Sequence, residues 1–374
     1  MDIGSTDSPG LERQLAEALR QILIGVPWLR GWSVRTAPPG DRVWDVIASG
    51  PIRGAARATL CVECKSHSFQ PSQFSSLSQR TCRAQRAGTS AKVLAMPRVS
   101  PRMAALCLDQ GWSWCDLSGN CRLEIPGALL IERTGNAPVR RPRASGASLS
   151  TPETGRIVRA LLAPENAGQR WTQRGMVDHF SSVVPRVAAP SLALVNKVVQ
   201  HLRAQAFLES LPNRGFRVRD PVGLLQAWRD AYRFARHPRR GYFTLLQGNT
   251  FLERLRNFDA KRPGHFAYAA FSAADLQAPA VRQPRTWLYL DPSVEHEFQD
   301  AIEAKVVESG ENVVVLIADD DGVFYRLEAG KGRPSCTNAA QTYVDVAHAG
   351  GRGEEAAAAL LQQRLSPVWK AASR

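Results

Sequence analysis

Apolar residues recur along the first part of the chain at two different periods, and the change of period marks its elements. In "LERQLAEALRQILIG", Leu11, Leu15, Leu19 and Ile22 fall on one helical stripe. The runs that follow, "WSVRTA", "RVWDVIAS", "ATLCVECK" and "AKVLAMPRV", are short, rich in β-branched residues and partly separated by Pro-Gly and Gly-Pro punctuation. A helix over about Pro101 to Gln110 comes next, then "WSWCDL" and "RLEIPGALLIER". The order is helix, three strands, a strand with a helix allowed before it, a helix and a strand, which is a compact α/β layer structure.

From Gly135 to Ser150 the pattern stops. "GNAPVRRPRASGASLS" has almost nothing to bury and reads as a basic linker. The helical period returns in "TPETGRIVRALLAP", with Thr151 as its cap, and in "TQRGMVDHFSS", capped by Thr172. A longer helix, "PSLALVNKVVQHLRAQAFL", turns Leu194, Val198 and Leu202 inward and leaves Asn196, Lys197, Gln200 and Arg203 on its other face. "ESLPNRGFRVRD" then supplies a turn at Pro212 to Gly215 and basic alternation. Two short helices, a longer helix and a basic hairpin outline a winged helix. The last region begins with the helix "GLLQAWRDAYRFAR" and continues with strand "TWLYLD", helix "SVEHEFQDAIEAKV", strands "NVVVLIA" and "GVFYRLE" and a closing helix "GEEAAAALLQQRL". The fold class is therefore α/β and multidomain: an α/β domain over 1–134, a basic linker over 135–150, a winged helix-turn-helix over 151–221 and a mixed α/β domain over 222–374.

Composition agrees with several domains, since 374 residues exceed what one core usually organises. No stretch is long and apolar enough for a membrane helix, and the start lacks the pattern of a signal peptide, so a cytoplasmic protein is expected. Cys61 and Cys64 form a C-x-x-C, but on a strand they face opposite ways, which suits neither zinc nor redox chemistry. The scattered histidines make no ligand-spaced pair, and no Ser-His-Asp pattern stands out. Net charge is +14, which favours a polyanionic partner such as nucleic acid; the winged-helix outline makes that partner double-stranded DNA. Only seven of the 48 basic residues are lysine, so arginine dominates this charge.

One stretch carries specific chemistry. Glu63 and Lys65 end an apolar strand as E-C-K, and Asp45 lies on the strand before it. Nucleases of the restriction-endonuclease-like superfamily hold magnesium or manganese between two such carboxylates, and a lysine two residues on shares the strand face. Residues 1–134 are thus expected to form a restriction-endonuclease-like α/β domain, with Asp45, Glu63 and Lys65 its candidate catalytic residues, Asp45 and Glu63 the candidate metal ligands, and Glu17 or Glu12 on the first helix a further carboxylate. The pattern occurs twice more. Asp259-Ala-Lys261 sits in a polar, turn-like stretch, and Glu303-Ala-Lys305 falls in the helix "SVEHEFQDAIEAKV", where i and i+2 do not share a face. The opposing reading is an ion pair at a sheet edge, or a nuclease fold reused for binding.

"VLAMPRVSPRMAALCLDQGWSWCDLSGNCRLEI", with Asp116, Gly119, Asn120 and Arg122, resembles a block in AbiEi-like antitoxins of type IV toxin–antitoxin systems. So do the winged-helix segment and "QTYVDVAHAGGRGEEAAAALLQQRL", with Gln341, Asp345, Gly350, Gly351, Arg352, Gly353 and Glu355. The resemblance implies a transcriptional regulator that binds DNA through its winged helix and pairs with a nucleotidyltransferase-type toxin. Bottom-up, Gly119-Asn120 is a turn signal, "GGRGEE" a glycine-rich start to a helix, and Asp319 to Asp321 a turn between strands. In a winged helix the third helix enters the major groove, so Asn196, Lys197, Gln200 and Arg203 are its readers. Arg214, Arg217 and Arg219 would touch backbone phosphates, Arg140, Arg141 and Arg143 would form a basic arm, and Arg236, Arg239 and Arg240 a further patch. A metal-dependent endonuclease targeted by the winged helix is the alternative function, and a protein-interaction scaffold the second.

Overall fold

A computed structural model describes residues 9–36, 44–52, 55–81, 89–137, 147–183, 187–330 and 332–372. The chain forms two compact units, residues 1–145 and 146–374.

The first unit is a seven-stranded sheet between helical layers. Helix α1 (Pro9–Ile24) is followed by β1 (Ser33–Thr36), β2 (Val46–Ile52), β3 (Ala55–Cys64), α2 (Pro71–Thr81), β4 (Ser90–Met96), α3 (Pro101–Asp109), β5 (Ser113–Asp116), β6 (Cys121–Ile125) and β7 (Leu129–Arg133). The strands lie side by side in sequence order. Pairs β3–β4 and β4–β5 are parallel, and the rest are antiparallel. A parallel pair needs a crossover, and α2 and α3 supply the two required. Alternation along the strands sends Val46, Leu60, Val62 and Cys64 to the core under α1, where Leu15, Leu19 and Ile22 pack. Cys61, Leu94 and Met96 point the other way, to Phe74, Leu77 and Met103 of α2 and α3. Cys61 and Cys64 therefore do face opposite layers. "RLEIPGALLIER" is a hairpin that turns at Gly127, with φ of +71°.

The second unit begins with α4 (Pro152–Leu162), α5 (Gln173–Val183), α6 (Leu192–Ala204) and the hairpin β8 (Leu208–Ser210) and β9 (Phe216–Val218), to which Trp171 adds a bridge at Phe216. Thr151 and Thr172 cap α4 and α5, each hydroxyl accepting a backbone N–H. There follow α7 (Pro221–Ala231), β10 (Arg239–Phe243), α8 (Gly248–Lys261), β11 (Phe266–Tyr268), α9 (Ala270–Gln277), β12 (Thr286–Leu290), α10 (Glu295–Ala301), β13 (Lys305–Val306), β14 (Val313–Ile317), β15 (Glu328–Gly330), β16 (Arg333–Cys336), α11 (Ala339–His348), α12 (Gly353–Leu360) and α13 (Ser366–Ala372). The second sheet runs β13-β10-β14-β12-β11-β16-β15 with mixed directions. One of its faces packs on Leu255, Phe258 and Phe298 of α8 and α10. The other joins a core that also holds α4–α7, α9, α11 and α12. Segments 151–221 and 222–374, separate in the sequence reading, share that core.

Three local readings change. "GVFYRLE" is not a strand: a 3-10 turn over Asp321–Phe324 drives Phe324 and Tyr325 into the core, and only Glu328–Gly330 pairs. The helix expected through Lys305 ends at Ala301; Glu303 adopts a φ of +50° and pairs with Arg254, and Lys305 lies on β13. Asp259 and Lys261 are on a helix, α8, where Asp259 accepts the Ser335 N–H and Lys261 pairs with Glu297. No described helix is long and apolar enough to cross a membrane.

Candidate functional site

The end of β3 brings the three nuclease-type candidates together. Asp45 lies just ahead of β2, its N–H bonding the Val62 carbonyl at 3.0 Å, and its Oδ2 accepts the Cys64 N–H at 2.8 Å. Glu63 and Lys65 share the face of Cys61, and Lys65 Nζ lies 2.7 Å from Glu63 Oε1 with side chains only 19% and 14% exposed. Burial pushes the Glu63 carboxyl up and nearby Asp45 adds to this, whereas Lys65 and Arg80 pull it down. Glu17 is not part of this group: it is exposed on α1 and bound to Gln21 and Arg20, chiefly the Gln21 hydrogen bond holding its pKa below the usual range. Glu12 is buried on α1, the layer opposite Glu63. The Asp45 carboxylate is thus tied to strand backbone and that of Glu63 to a lysine. Among the described residues no group of three or more His, Cys, Asp or Glu is placed to hold a metal ion. Glu63 and Lys65 make a partly buried ion pair at a strand end, with the Asp45 carboxylate beside it on the Cys64 N–H.

The surface of α6 has two sides. Ser191 caps the helix, its hydroxyl accepting the Leu194 N–H. Val195, Val198, Val199 and Leu202 are buried, and Leu194 packs on the rim of the core. Asn196, Lys197 and Gln200 are exposed together, with Asn196 Oδ1 accepting from Gln173 Nε2 at 2.9 Å. Lys197 makes no ion pair among the described residues. Arg203 behaves otherwise than expected: half-buried, it donates to the Gly215 carbonyl at 3.3 Å and lies 5.6 Å over the Phe216 ring. Its guanidinium fastens helix to hairpin instead of facing a ligand.

The hairpin turns tightly at Asn213 and Arg214, whose φ values of +57° and +58° suit a two-residue loop of the primed type. Leu211 N–H closes it on the Gly215 carbonyl at 2.9 Å, and Arg170 donates to the Pro212 carbonyl. Arg214 and Arg219 stand exposed, while Arg217 is paired with Glu209. In the "RHPRRGYF" patch every arginine has a carboxylate: Arg236 with Asp319, Arg239 with Glu311, Arg240 with Glu295. That patch is a set of ion pairs and not an open basic surface. Arg140, Arg141 and Arg143 lie outside the described residues.

Two of the sequence blocks prove to be structural. Asp116 is buried and its Oδ1 accepts the N–H groups of Ser118 and Asn120, while Gly119 takes a φ of +79°. Arg122 lies between Glu124 and Glu132. In the last block Gln341 and Asp345, one turn apart on α11, form the centre of a buried polar cluster. Asp345 Oδ1 accepts from Gln341 Nε2 at 2.7 Å, Tyr289 at 2.9 Å and Tyr232 at 3.2 Å, and Gln341 accepts from Arg159. His237 Nδ1 accepts the Asp319 N–H, so its Nε2 carries the proton toward Tyr232, 3.0 Å away. Burial pushes Asp345 up to about 7 and lowers His237 to about 4. Arg159, Tyr232, His237 and Tyr289 were not singled out from sequence. The available signal was two polar residues at i and i+4 on the inward side of "QTYVDVA".

No curated protein and no solved structure matches the chain. Residues 217–366, less than half of the chain, match the model of a family described as transcriptional regulator, AbiEi antitoxin, type IV TA system; they run from β9 to the first residue of α13, and take in the Gln341–Asp345 cluster.

Proposed function

We propose that the chain is a DNA-binding transcriptional regulator of antitoxin type, with α4–α6 and the β8–β9 hairpin acting as a winged helix on double-stranded DNA. The observation that carries this reading is the row Asn196, Lys197 and Gln200, exposed beside a tightly turned hairpin that presents Arg214 and Arg219. A helix in the major groove reads base edges with amide side chains such as Asn and Gln, and a lysine neutralises phosphate. The family match adds the regulatory role and a toxin partner; the sequence resemblance makes that partner a nucleotidyltransferase-type enzyme, and both would act in the cytoplasm.

Fluorescence anisotropy with duplexes tiled across the region upstream of the protein's own gene tests it. Lys197→Ala and Arg219→Ala are each expected to weaken binding to all duplexes and to reduce the salt slope by about 1. Gln200→Ala should cost about 1–3 kcal/mol on the preferred duplex and narrow the gap to the others. Unchanged affinity in all three variants would remove α6 and the hairpin as the interface.

The meeting of Asp45, Glu63 and Lys65 at one strand end favours a second, narrower reading: the first unit has the restriction-endonuclease-like fold, kept for binding and not for cleavage. Supercoiled plasmid is expected to stay intact with magnesium or manganese present. Cleavage by the wild type that disappears in Glu63→Gln and Lys65→Ala would reverse this and make the protein an endonuclease.

A further inference from the structure

The second unit holds a cleft of about 580 Å³ bounded by α8, α9, β11 and residues 281–286. Three arginines, Arg282, Arg285 and Arg333, line it, against a single carboxylate, Asp275. All three are exposed. Arg282 and Arg333 make no ion pair among the described residues, and Arg285 has only a share of Glu311, at 3.4 Å, which Arg239 holds more closely at 2.9 Å. Three guanidiniums around one concavity repel one another unless an anion lies between them.

The floor of the cleft is of another kind. Tyr268, Leu252 and Leu276 are half-buried there. The Tyr268 hydroxyl has no hydrogen-bond partner among the described residues, and the Arg333 guanidinium works against the burial that pushes its pKa up to about 12. A neighbouring cleft of about 670 Å³ shares Arg333 but balances Arg256 with Glu253 and Asp259. Of these two clefts, the first holds the surplus of positive charge.

We propose that this cleft binds a nucleoside di- or triphosphate, the phosphates held by Arg282, Arg285 and Arg333 and the base lying on the floor formed by Tyr268, Leu252 and Leu276. The volume lies within the range of small-ligand sites, and the combination of an apolar wall with a few convergent charged groups is what such ligands need. The inference does not depend on the winged-helix reading, because it uses none of the residues of α6 or the hairpin.

Calorimetric titration of the full chain with ATP, GTP, AMP and inorganic triphosphate tests it. ATP or GTP should bind with a Kd on the order of 10 µM, and AMP about tenfold more weakly or worse. Inorganic triphosphate, having no ring, should also bind less tightly than the nucleotide. Arg282→Ala and Arg333→Ala should each lower affinity about tenfold, Arg256→Ala less than about twofold, with melting temperatures unchanged. Absence of binding by either triphosphate at millimolar concentration, or equal binding by the Arg282→Ala, Arg333→Ala double variant, would overturn the proposal. Inorganic triphosphate binding as tightly as ATP would overturn the nucleoside part. Loss of duplex DNA binding in the double variant would assign the cleft to the DNA interface instead.

Discussion

At the scale of single residues, the Gln341–Asp345 cluster makes the clearest physical statement, because it decides where a proton sits. An aspartate ordinarily titrates near 3.8, but burial raises Asp345 to about 7. Between those values the folded state holds a proton that the unfolded state has lost, so this residue's stabilisation fades as pH rises from about 4 to about 7. His237, ordinarily near 6.5, is lowered to about 4 by burial and then by Arg159. There the unfolded state holds the extra proton, and stability is lost as pH falls through that window. From about pH 4 to 6.5 the two slopes oppose each other, because folding in effect moves one proton from the histidine to the aspartate. Asp345→Asn should uncover the histidine. Denaturant titrations from pH 4.5 to 7.5 should show its stability relative to wild type falling on acidification by about 1.4 kcal/mol per pH unit. Parallel curves for the two proteins would refute that assignment. The Glu63–Lys65 pair permits a second test at this scale. Lys65→Ala leaves a mostly buried carboxylate without its cation and should cost about 1–3 kcal/mol, whereas Glu63→Gln with Lys65→Met should recover most of the loss. A double-mutant cycle that reads zero coupling would show the pair to be energetically idle.

Elements were legible where one principle dominates. Each strand in the apolar runs of the first unit formed, and so did the caps at Thr151 and Thr172, since alternation and capping are local matters. The failures have a common cause in tertiary demands that periodicity does not encode. Phe324 and Tyr325 look like strand residues, but Tyr325 must reach His179 at 2.7 Å and Asn166 at 3.0 Å, and a 3-10 turn places it there. Arg203 looks like a solvent-facing residue on α6 until the hairpin folds back under it. For the candidate site, spacing found Asp45, Glu63 and Lys65 correctly as neighbours, but could not show that the carboxylates are already engaged by a backbone N–H and a lysine. The "GGRGEE" stretch was read as a glycine-rich start to a helix, and the α11–α12 turn shows which glycine matters. A Cβ on Gly353 would lie 1.9 Å from the Val346 carbonyl oxygen, a backbone atom that cannot step aside. Gly350 has a φ of +81° but open space around it. Gly353→Ala should therefore cost about 3 kcal/mol or more, and Gly350→Ala about 1–2 kcal/mol from conformation alone. Thermal melts of the two variants distinguish them; equal losses would mean that the turn relaxes.

For the whole molecule, the boundary that sequence places at 221 does not coincide with a boundary in the packing. Ile157, Leu161, Phe180 and Leu202 of the helical segment belong to one core with Trp228, Phe324, Tyr343 and Leu360. Polar ties cross the same line: Arg156 to Asp320, Arg159 to Gln341, and His179 and Asn166 to Tyr325. Of these, Arg159 is nearly inaccessible and also lies 5.2 Å over Trp228. A DNA-binding element attached by a flexible joint would need none of this. Residues 151–221 expressed alone should consequently fail to fold, since the fragment exposes the apolar face that Trp228 and Phe324 cover and leaves Arg156 and Arg159 without their partners. Residues 147–372 should retain the helical circular dichroism and melt in one cooperative transition. Arg159→Met, which trades the buried cation for an apolar side chain of similar length, should keep that single transition, whereas Arg159→Ala should lower its midpoint and carry both segments with it. A stable, cooperatively melting 151–221 fragment would instead make the recognition helices an autonomous module, and the shared core an incidental contact.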